Sequence, residues 1–209
     1  GIDKGNLNHY IVGGPNCGVW KTTNNGGDWT NLTDGFQDLN VWSLEIDPNN
    51  SNKYWWGSSA GYVYTSNDGG LNWTEIYFPG VGTISRIVVH PNNSDVVFIC
   101  SYFGLYKTSD GGINWTKVQS HTLGLDIEFK PGDPSVVYYS GTKVYKSTDG
   151  GDSFSSLNGG FAADETKMMA VSADNPNLIM VLEERSGKFG ALYKSTDSGG
   201  SFTKIQTGL

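Results

Sequence analysis

The sequence predicts an all-β fold, a β-propeller of four-stranded antiparallel blades, with about five blades present as an arc of a larger ring. Three observations lead to this prediction. An eight-residue motif occurs five times, and the aromatic residues that end its copies are 44, 42, 39 and 48 residues apart. A repeat of roughly 40 to 50 residues is the length of one propeller blade. The intervals contain short runs of alternating apolar residues and no helical pattern.

Each copy of the motif has Ser or Thr in the first position, Asp or Asn in the third, Gly in the fifth and an aromatic residue in the eighth. The copies are Thr22, Asn24, Gly26, Trp29; Ser66, Asp68, Gly70, Trp73; Thr108, Asp110, Gly112, Trp115; Ser147, Asp149, Gly151, Phe154; and Ser195, Asp197, Gly199, Phe202. Around the motif, every interval is predicted to contain strand A, an Asn/Pro turn, strand B, a loop, strand C, the motif and strand D.

The predicted blades of this single domain cover residues 1–33, 40–77, 83–119, 124–158 and 166–209. The first of them has a strand B in "HYIVGGP" but no recognisable strand A before it. We therefore expect the remaining blades to come from the same longer chain or from another chain. A closed ring of five blades, with residues 1–6 replacing the missing strand, is the alternative.

The motif resembles the Asp-box, or bacterial neuraminidase repeat. With the "DPNN" turns and the "VYKSTDGG" segments, essentially the whole chain resembles propellers of the sortilin, photosystem II assembly and xyloglucan-specific endoglucanase types. The resemblance implies blades closed by Asp-box hairpins. Sialidases carry the same box together with an arginine triad, and this chain has only Arg86 and Arg185. Sialidase activity is therefore not expected.

The residue types of the box indicate a structural turn. Glycine adopts φ > 0 without steric cost, and a short carboxylate accepts hydrogen bonds from nearby backbone N–H groups. Asn24 replaces Asp in the first copy, which a turn tolerates and a catalytic acid would not. Calcium needs six to eight oxygen ligands, whereas each box offers about one acid. We expect neither a metal nor another cofactor.

Composition limits the possible partners. The net charge is −7 and the pI is about 4.8, so a nucleic acid partner is not expected. No apolar segment approaches the ~20 residues of a membrane-spanning helix, and Gly1 does not open a signal peptide, so any export signal would lie outside this sequence. Cys17 and Cys100 are two repeats apart, and we expect unbridged, buried or partly buried thiols.

Ligand binding is predicted on the face opposite the boxes, where the B-to-C and D-to-A loops vary. Exposed aromatic and charged side chains in such loops suit sugar stacking or a peptide groove. The candidates are Phe36, Asp38, Trp42, Tyr102, Phe103, His121, Phe161, Glu165, Glu184 and Arg185. The alternative is that aromatic residues such as Trp42 and Phe103 fill gaps between blades.

A glycosidase would need two carboxylates at a fixed separation. Asp126 and Glu128, at i and i+2 of a predicted strand A, share one face and are the candidate pair. No Ser-His-Asp arrangement is visible. Five Asn-x-Ser/Thr sequons occur, and Asn72 and Asn114 lie within boxes.

The sequence predicts a non-catalytic, extracellular propeller module, secreted or at the cell surface, that binds a polysaccharide or a protein. The alternative is a fragment of a glycoside hydrolase resembling the xyloglucan-specific endoglucanases. An assembly factor like the photosystem propeller is a third possibility, which the lack of a basic patch disfavours.

Overall fold

The computed structural model describes residues 1–78, 80–120, 123–163, 165–185 and 188–207. Within these ranges there are nineteen strands and no helix. The strands are β1 (Tyr10–Gly14), β2 (Gly18–Thr22), β3 (Thr30–Asn31), β4 (Val41–Ile46), β5 (Tyr54–Ser58), β6 (Tyr62–Ser66), β7 (Thr74–Tyr77), β8 (Ile84–His90), β9 (Asn93–Ser101), β10 (Gly104–Thr108), β11 (Thr116–Gln119), β12 (Asp126–Lys130), β13 (Asp133–Ser140), β14 (Val144–Ser147), β15 (Ser155–Ser156), β16 (Thr166–Val171), β17 (Ile179–Arg185), β18 (Lys188–Ser195) and β19 (Thr203–Thr207).

The strands form five sheets, and in each one the strands follow one another in chain order. The first sheet contains β1 to β3, and the other four contain β4 to β7, β8 to β11, β12 to β15 and β16 to β19. The recorded pairings are antiparallel, so each sheet is a meander. This confirms the predicted all-β fold of propeller blades, with a box between the last two strands of every sheet.

The first residues of the chain lie along the free edge of β1 in the first sheet. Ile2 forms an antiparallel bridge with Tyr10, and backbone hydrogen bonds join Gly1 to Ile11 and Asp3 to His9 at 3.0 Å. Residues 1–3 thus lie along β1 where a strand A would lie. That placement matches one part of the alternative stated above, the use of the first residues as an inner strand.

The chain divides into two compact units, residues 1–102 with 107–115, and residues 103–106 with 116–209. In the first unit, side chains of the first and second sheets form one buried cluster that includes Ile11, Val19, Trp56 and Tyr64. In the second unit, Tyr138 and Val144 of the fourth sheet pack with residues of the fifth, among them Val181 and Tyr193. Apolar contact between the faces of successive sheets supplies the core of each unit.

The two cysteines differ in environment. Cys100 is buried in β9, whereas Cys17 is exposed in the turn between β1 and β2, and both thiols are free. The expectation of a buried or partly buried thiol is therefore wrong for Cys17. Cys17 lies in the turn that links β1 and β2, where its exposed thiol donates to the Pro15 carbonyl at 3.3 Å.

Candidate functional site

Each Asp-box is a repeated network of hydrogen bonds, illustrated by the second copy, in which the Gly69 N–H also donates outside the box to the Asn52 carbonyl at 2.8 Å. The Ser66 hydroxyl donates to Asp68 Oδ1 at 2.8 Å and accepts the Gly70 N–H at 2.9 Å. The Asp68 carboxylate also accepts the backbone N–H of Asn72 at 2.9 Å and its Nδ2 at 2.8 Å. The third, fourth and fifth copies repeat this pattern, with Ser replacing Asn as the last donor in two of them.

The backbone explains the glycine requirement. In every box the fourth and fifth positions both have positive φ; the fifth is always glycine, from Gly151 at 83° to Gly112 at 99°. Asn25 and Ser198 occupy the fourth position of two boxes, each at φ 57°. Two consecutive left-handed residues turn the chain sharply enough for one hydroxyl and one carboxylate or amide to accept the N–H groups of the fifth and seventh residues.

The first box reaches the same structure with its donor and acceptor exchanged. Asn24 Oδ1 accepts the Thr22 hydroxyl at 3.0 Å and the Asp28 N–H at 2.8 Å. Asn24 Nδ2 then donates to Asp28 Oδ2 at 2.8 Å, whereas in the second box the amide of Asn72 donates to the carboxylate of Asp68. Both boxes therefore contain one amide and one carboxylate, at the third and seventh positions. In the first box the amide is at the third position and the carboxylate at the seventh, and in the second box the order is reversed.

Hydrogen bonding lowers the pKa of the box carboxylates. Bonds from Asn72 and then Ser66 lower the pKa of Asp68 to about 2, and bonds from Asn114 and then Thr108 lower that of Asp110 to about 2. The Ser201 hydroxyl and backbone N–H, followed by Ser195, bring the pKa of Asp197 to about 2. Ser147 and Ser153 lower the pKa of Asp149 as well. A group so stabilised in its ionised form is a poor general acid near neutral pH.

A buried Asp–His–Tyr chain lies near the start of the sequence. His9 Nδ1 is 3.0 Å from Asp3 Oδ2, and His9 Nε2 is 2.7 Å from the Tyr54 hydroxyl. An ionised Asp3 can only accept, so Nδ1 carries the ring proton and Nε2 accepts from Tyr54. Although burial opposes it, bonds from His9, Gly5 and Asn6 lower the pKa of Asp3. Burial and the Asp3 charge raise the pKa of Tyr54 to about 12.

The hydrogen bond between His9 and Tyr54 joins residues 45 positions apart, and sequence reasoning missed it. A tyrosine whose pKa is raised holds its proton and is a poor nucleophile. The arrangement therefore fastens the segment before β1 to β5 and has the character of a structural link. The only sequence signal was a pair of polar residues, Asp3 and His9, flanking a turn-rich segment.

The predicted loop aromatics fall into two groups. Phe36 packs edge-on against Trp56 and Tyr64, and Phe161 packs likewise against Tyr193 and Phe202, at centroid distances of 4.9 to 6.3 Å. Trp42, Tyr102 and Phe103 are exposed.

Gap filling is therefore wrong for Trp42, which is 57% exposed, and for Phe103. The ladder between β4 and β5 shifts register between Val41 and Ser43, and such a bulge turns the intervening side chain out of the packed face. Phe103 lies in the turn between β9 and β10.

The charged candidates are dispersed. Glu184 is exposed and accepts a hydrogen bond from the Thr166 hydroxyl at 3.2 Å, while Glu165 and Asp38 are half-buried. His121 and the side chain of Arg185 lie outside the described residues. Asp126 and Glu128 are half-buried on one face of β12, opposite Ser140 and Tyr138. Among the described residues, no His, Cys, Asp and Glu side chains cluster as a metal site would require.

A cavity of about 390 Å³ opens on the loop face of the second unit. It is lined on one side by Thr142 and Lys143, between β13 and β14, with Val144 at the start of β14, and on the other side by residues from Ser156 to Ala163. Lys167 completes the lining. We call this space the loop cavity. Of the predicted candidates, it includes Phe161.

Two buried charged residues hold the wall of the loop cavity. Lys167, 1% exposed, donates from Nζ to the carbonyls of Thr142 and Ala162 at 2.8 Å and of Glu165 at 2.6 Å. Glu183, fully buried and opposite Lys167 in the β16–β17 ladder, accepts the Ala162 N–H at 2.6 Å. Ala162 is thereby fixed through both of its backbone groups. Sequence reasoning missed this pair, although Lys167 precedes the apolar run of β16 and Glu183 follows that of β17.

A family model matches the second half of the chain. Residues 103–209, just over half of it, match the Sortilin-Vps10 model, described as sortilin, neurotensin receptor 3. The chain belongs to the Sortilin-Vps10 family. No curated protein sequence matches it significantly.

Solved structures share the fold of this Sortilin-Vps10 chain. An ancestral GH74 enzyme matches with a TM-score of 0.81 and 20% identity over 96% of this chain and 30% of its own. The GH74 xyloglucanase of Xanthomonas campestris matches with a TM-score of 0.76 and 17% identity, over 98% of this chain and 37% of its own. YCF48 bound to D1 peptide matches with a TM-score of 0.61 and 17% identity, over 94% of this chain and 78% of its own. The predicted resemblance to sortilin, photosystem assembly and xyloglucanase propellers is confirmed at the level of fold.

This Sortilin-Vps10 chain thus spans about a third of the length of the two GH74 structures. Among its described residues, no helix is long and apolar enough to cross a membrane.

Exchanging the second box into the form of the first tests the donor–acceptor pairing. Asp68→Asn alone removes the acceptor for Asn72 Nδ2 and should lower Tm by a few degrees. Adding Asn72→Asp recreates the Asn24–Asp28 pair and should restore most of the loss. Thermal unfolding of the two single variants and the double variant measures the coupling. Additive losses would contradict the pairing.

The lowered pKa values predict a specific acid sensitivity. A carboxylate with a folded-state pKa of about 2, as for Asp68, stabilises the fold above its unfolded value of about 4. That contribution is lost as the pH falls from about 4 to about 2. Asp68→Asn should therefore flatten the decline of the urea midpoint in this window. Asp34→Asn, outside the boxes, is the control, and equal slopes for Asp68→Asn and wild type would refute the prediction.

Proposed function

We propose that the chain is a non-catalytic ligand-binding propeller module, secreted or at the cell surface, and that the loop cavity binds a polysaccharide or protein ligand. The observation that carries the proposal is the cavity itself. Its volume of about 390 Å³ falls in the range of small-molecule and sugar-sized sites. It lies among variable loops, where propeller scaffolds leave room for specificity.

The lining suits recognition. Leu157 and Phe161 supply apolar surface, and Thr142 and Asn158 supply hydrogen-bonding groups. A mixture of this kind fits a ligand with an apolar face and polar edges. The described lining residues include no carboxylate, which is why binding is proposed here and hydrolysis is not.

Pre-organisation supports the same proposal. The ammonium of Lys167 uses its three protons on three carbonyls, and Glu183 fixes Ala162 from the other direction. A wall held in this way loses little conformational entropy when a ligand binds. The family description, which includes a receptor, supports the secreted or cell-surface location.

The sheet faces support further blades as partners, from the same longer chain or another one. Trp20 stands two residues before its box, as Tyr193 does, yet Trp20 is 36% exposed and Tyr193 is 3% exposed. The fourth sheet covers Tyr193, and Trp20 has exposed Val12 as its cross-strand neighbour. In the fifth sheet, the paired residues Met168 and Leu182 are exposed as well. Apolar faces of this type are the surfaces that successive blades bury.

A glycoside hydrolase is the second candidate function. The fold similarity to GH74 enzymes and the shared face of Asp126 and Glu128 favour it.

Filling the loop cavity should abolish binding. Ser156→Trp places an indole in the lining, whereas Ser155→Trp places one on the opposite face of the same strand. On a glycan array complemented by a peptide array, wild type and Ser155→Trp should retain the same ligands and Ser156→Trp should lose them. Equal binding by Ser156→Trp would place the ligand elsewhere, and a blank wild type on both arrays would refute the module as proposed.

The hydrolase alternative makes a different prediction. If it holds, the chain releases reducing sugar from β-glucans, and Asp126→Asn lowers the rate at least a hundredfold. Reducing-end assays across xyloglucan and unbranched β-glucans measure this, with unfolding curves to confirm that the variant is folded. Turnover that Asp126→Asn leaves unchanged would remove this pair from the mechanism.

A further inference from the structure

The loop cavity carries a charge opposite to that of the protein around it. The chain has 21 acidic and 14 basic residues. Among the lining residues that the structure describes, two are lysines, Lys143 and Lys167, and none is acidic. A concave site lined by one sign of charge concentrates ligands of the other sign. Because Lys167 is buried opposite the buried Glu183, the exposed positive charge of the cavity is the ammonium of Lys143.

The two lysines have different roles. The ammonium of Lys167 donates to the carbonyls of Thr142, Ala162 and Glu165. Glu183 lies opposite Lys167 in the pairing of β16 with β17. Lys143 is exposed in the turn before β14, and within the described part of the chain its ammonium forms no ion pair. Its three donors are therefore available to a ligand.

The rest of the lining favours a sugar over a peptide. Phe161 and Leu157 offer apolar surface to the face of a pyranose ring, and Thr142, Ser156 and Asn158 offer partners for hydroxyl groups. A peptide bound as an added strand needs a long free edge. The adjacent outer strand, β15, has only two residues, Ser155 and Ser156.

We infer that the loop cavity binds an acidic polysaccharide, with Lys143 contacting the carboxylate of a uronate residue. This inference rests on the proposed function and names its ligand class. Lys167 and Glu183 are positioning residues that hold the wall, and Lys143 distinguishes a charged sugar from a neutral one. Ion pairing at an exposed site is screened by salt, so the preference should weaken as ionic strength rises.

The test is calorimetric titration of the intact chain with trigalacturonate and with its fully methyl-esterified form, which has the same rings without the charge. The acid should bind about tenfold more tightly than the ester. Lys143→Met should remove that preference, Lys143→Arg should retain most of it, and 0.5 M NaCl should reduce it. Lys4→Met, an exposed lysine in the other unit, makes the same change in net charge and should bind like wild type.

Several outcomes would overturn the inference. Equal affinity for acid and ester, or a preference that survives Lys143→Met, would show that the carboxylate is not recognised there. Binding of a triglutamate peptide through Lys143, without trigalacturonate binding, would assign the site to an acidic peptide instead. If Ser156→Trp blocks a neutral ligand that Lys143→Met still binds, the proposed function stands and the uronate assignment fails. If wild type binds none of these sugars or peptides and both arrays are blank, both fail.

Discussion

The structure depends on one local constraint, the closed corner between the third and fourth strands of every sheet. The sharp turn leaves backbone N–H groups that would otherwise lack partners, and a hydroxyl accepts that of the fifth residue while a carboxylate or amide accepts that of the seventh. The corner is also joined to a segment that precedes it in the same blade, because the N–H of its fourth residue donates to a backbone carbonyl there, as Gly69 does to Asn52 at 2.8 Å. Five such corners allow the intervening strands to vary widely, from the fully buried "YWWGS" of β5 to the mixed "TKMMAV" of β16.

The box face and the loop face therefore differ in role: the box face is structural and the loop face varies between blades. Box carboxylates such as Asp68 and Asp149 are saturated by their own loops, and their lowered pKa values suit them to charge-assisted hydrogen bonds and not to proton transfer. The opposite face is free to differ between blades. There the second unit holds its longer D-to-A loop with a buried lysine and glutamate, which is an unusual use of charge in a strand core.

Local patterns could be predicted from the sequence and long-range ones could not. The boxes, the order of strands and the fold class followed from a repeat whose residues interact within about eight positions. The bond between His9 and Tyr54 spans 45 positions, and the one between Lys167 and Thr142 spans 25, so neither leaves a local pattern. The exposure of Trp42 depends on a single register shift between β4 and β5, which composition and periodicity do not encode. The family model then showed the family and the GH74 structures the fold, while the loop cavity became visible only once the loops were placed in space.

The exchange between Asn24 and Asp28 bears on how propeller blades are counted. A scan that demands aspartate at the third position of the box would overlook the first blade of this chain, although its corner is built like the others. The physical requirement is complementarity: one member of the pair must offer carboxylate oxygens and the other an N–H or hydroxyl donor, in either order. Describing the box as two correlated positions instead of one invariant acid should recover degenerate blades and correct blade numbers that are read from sequence.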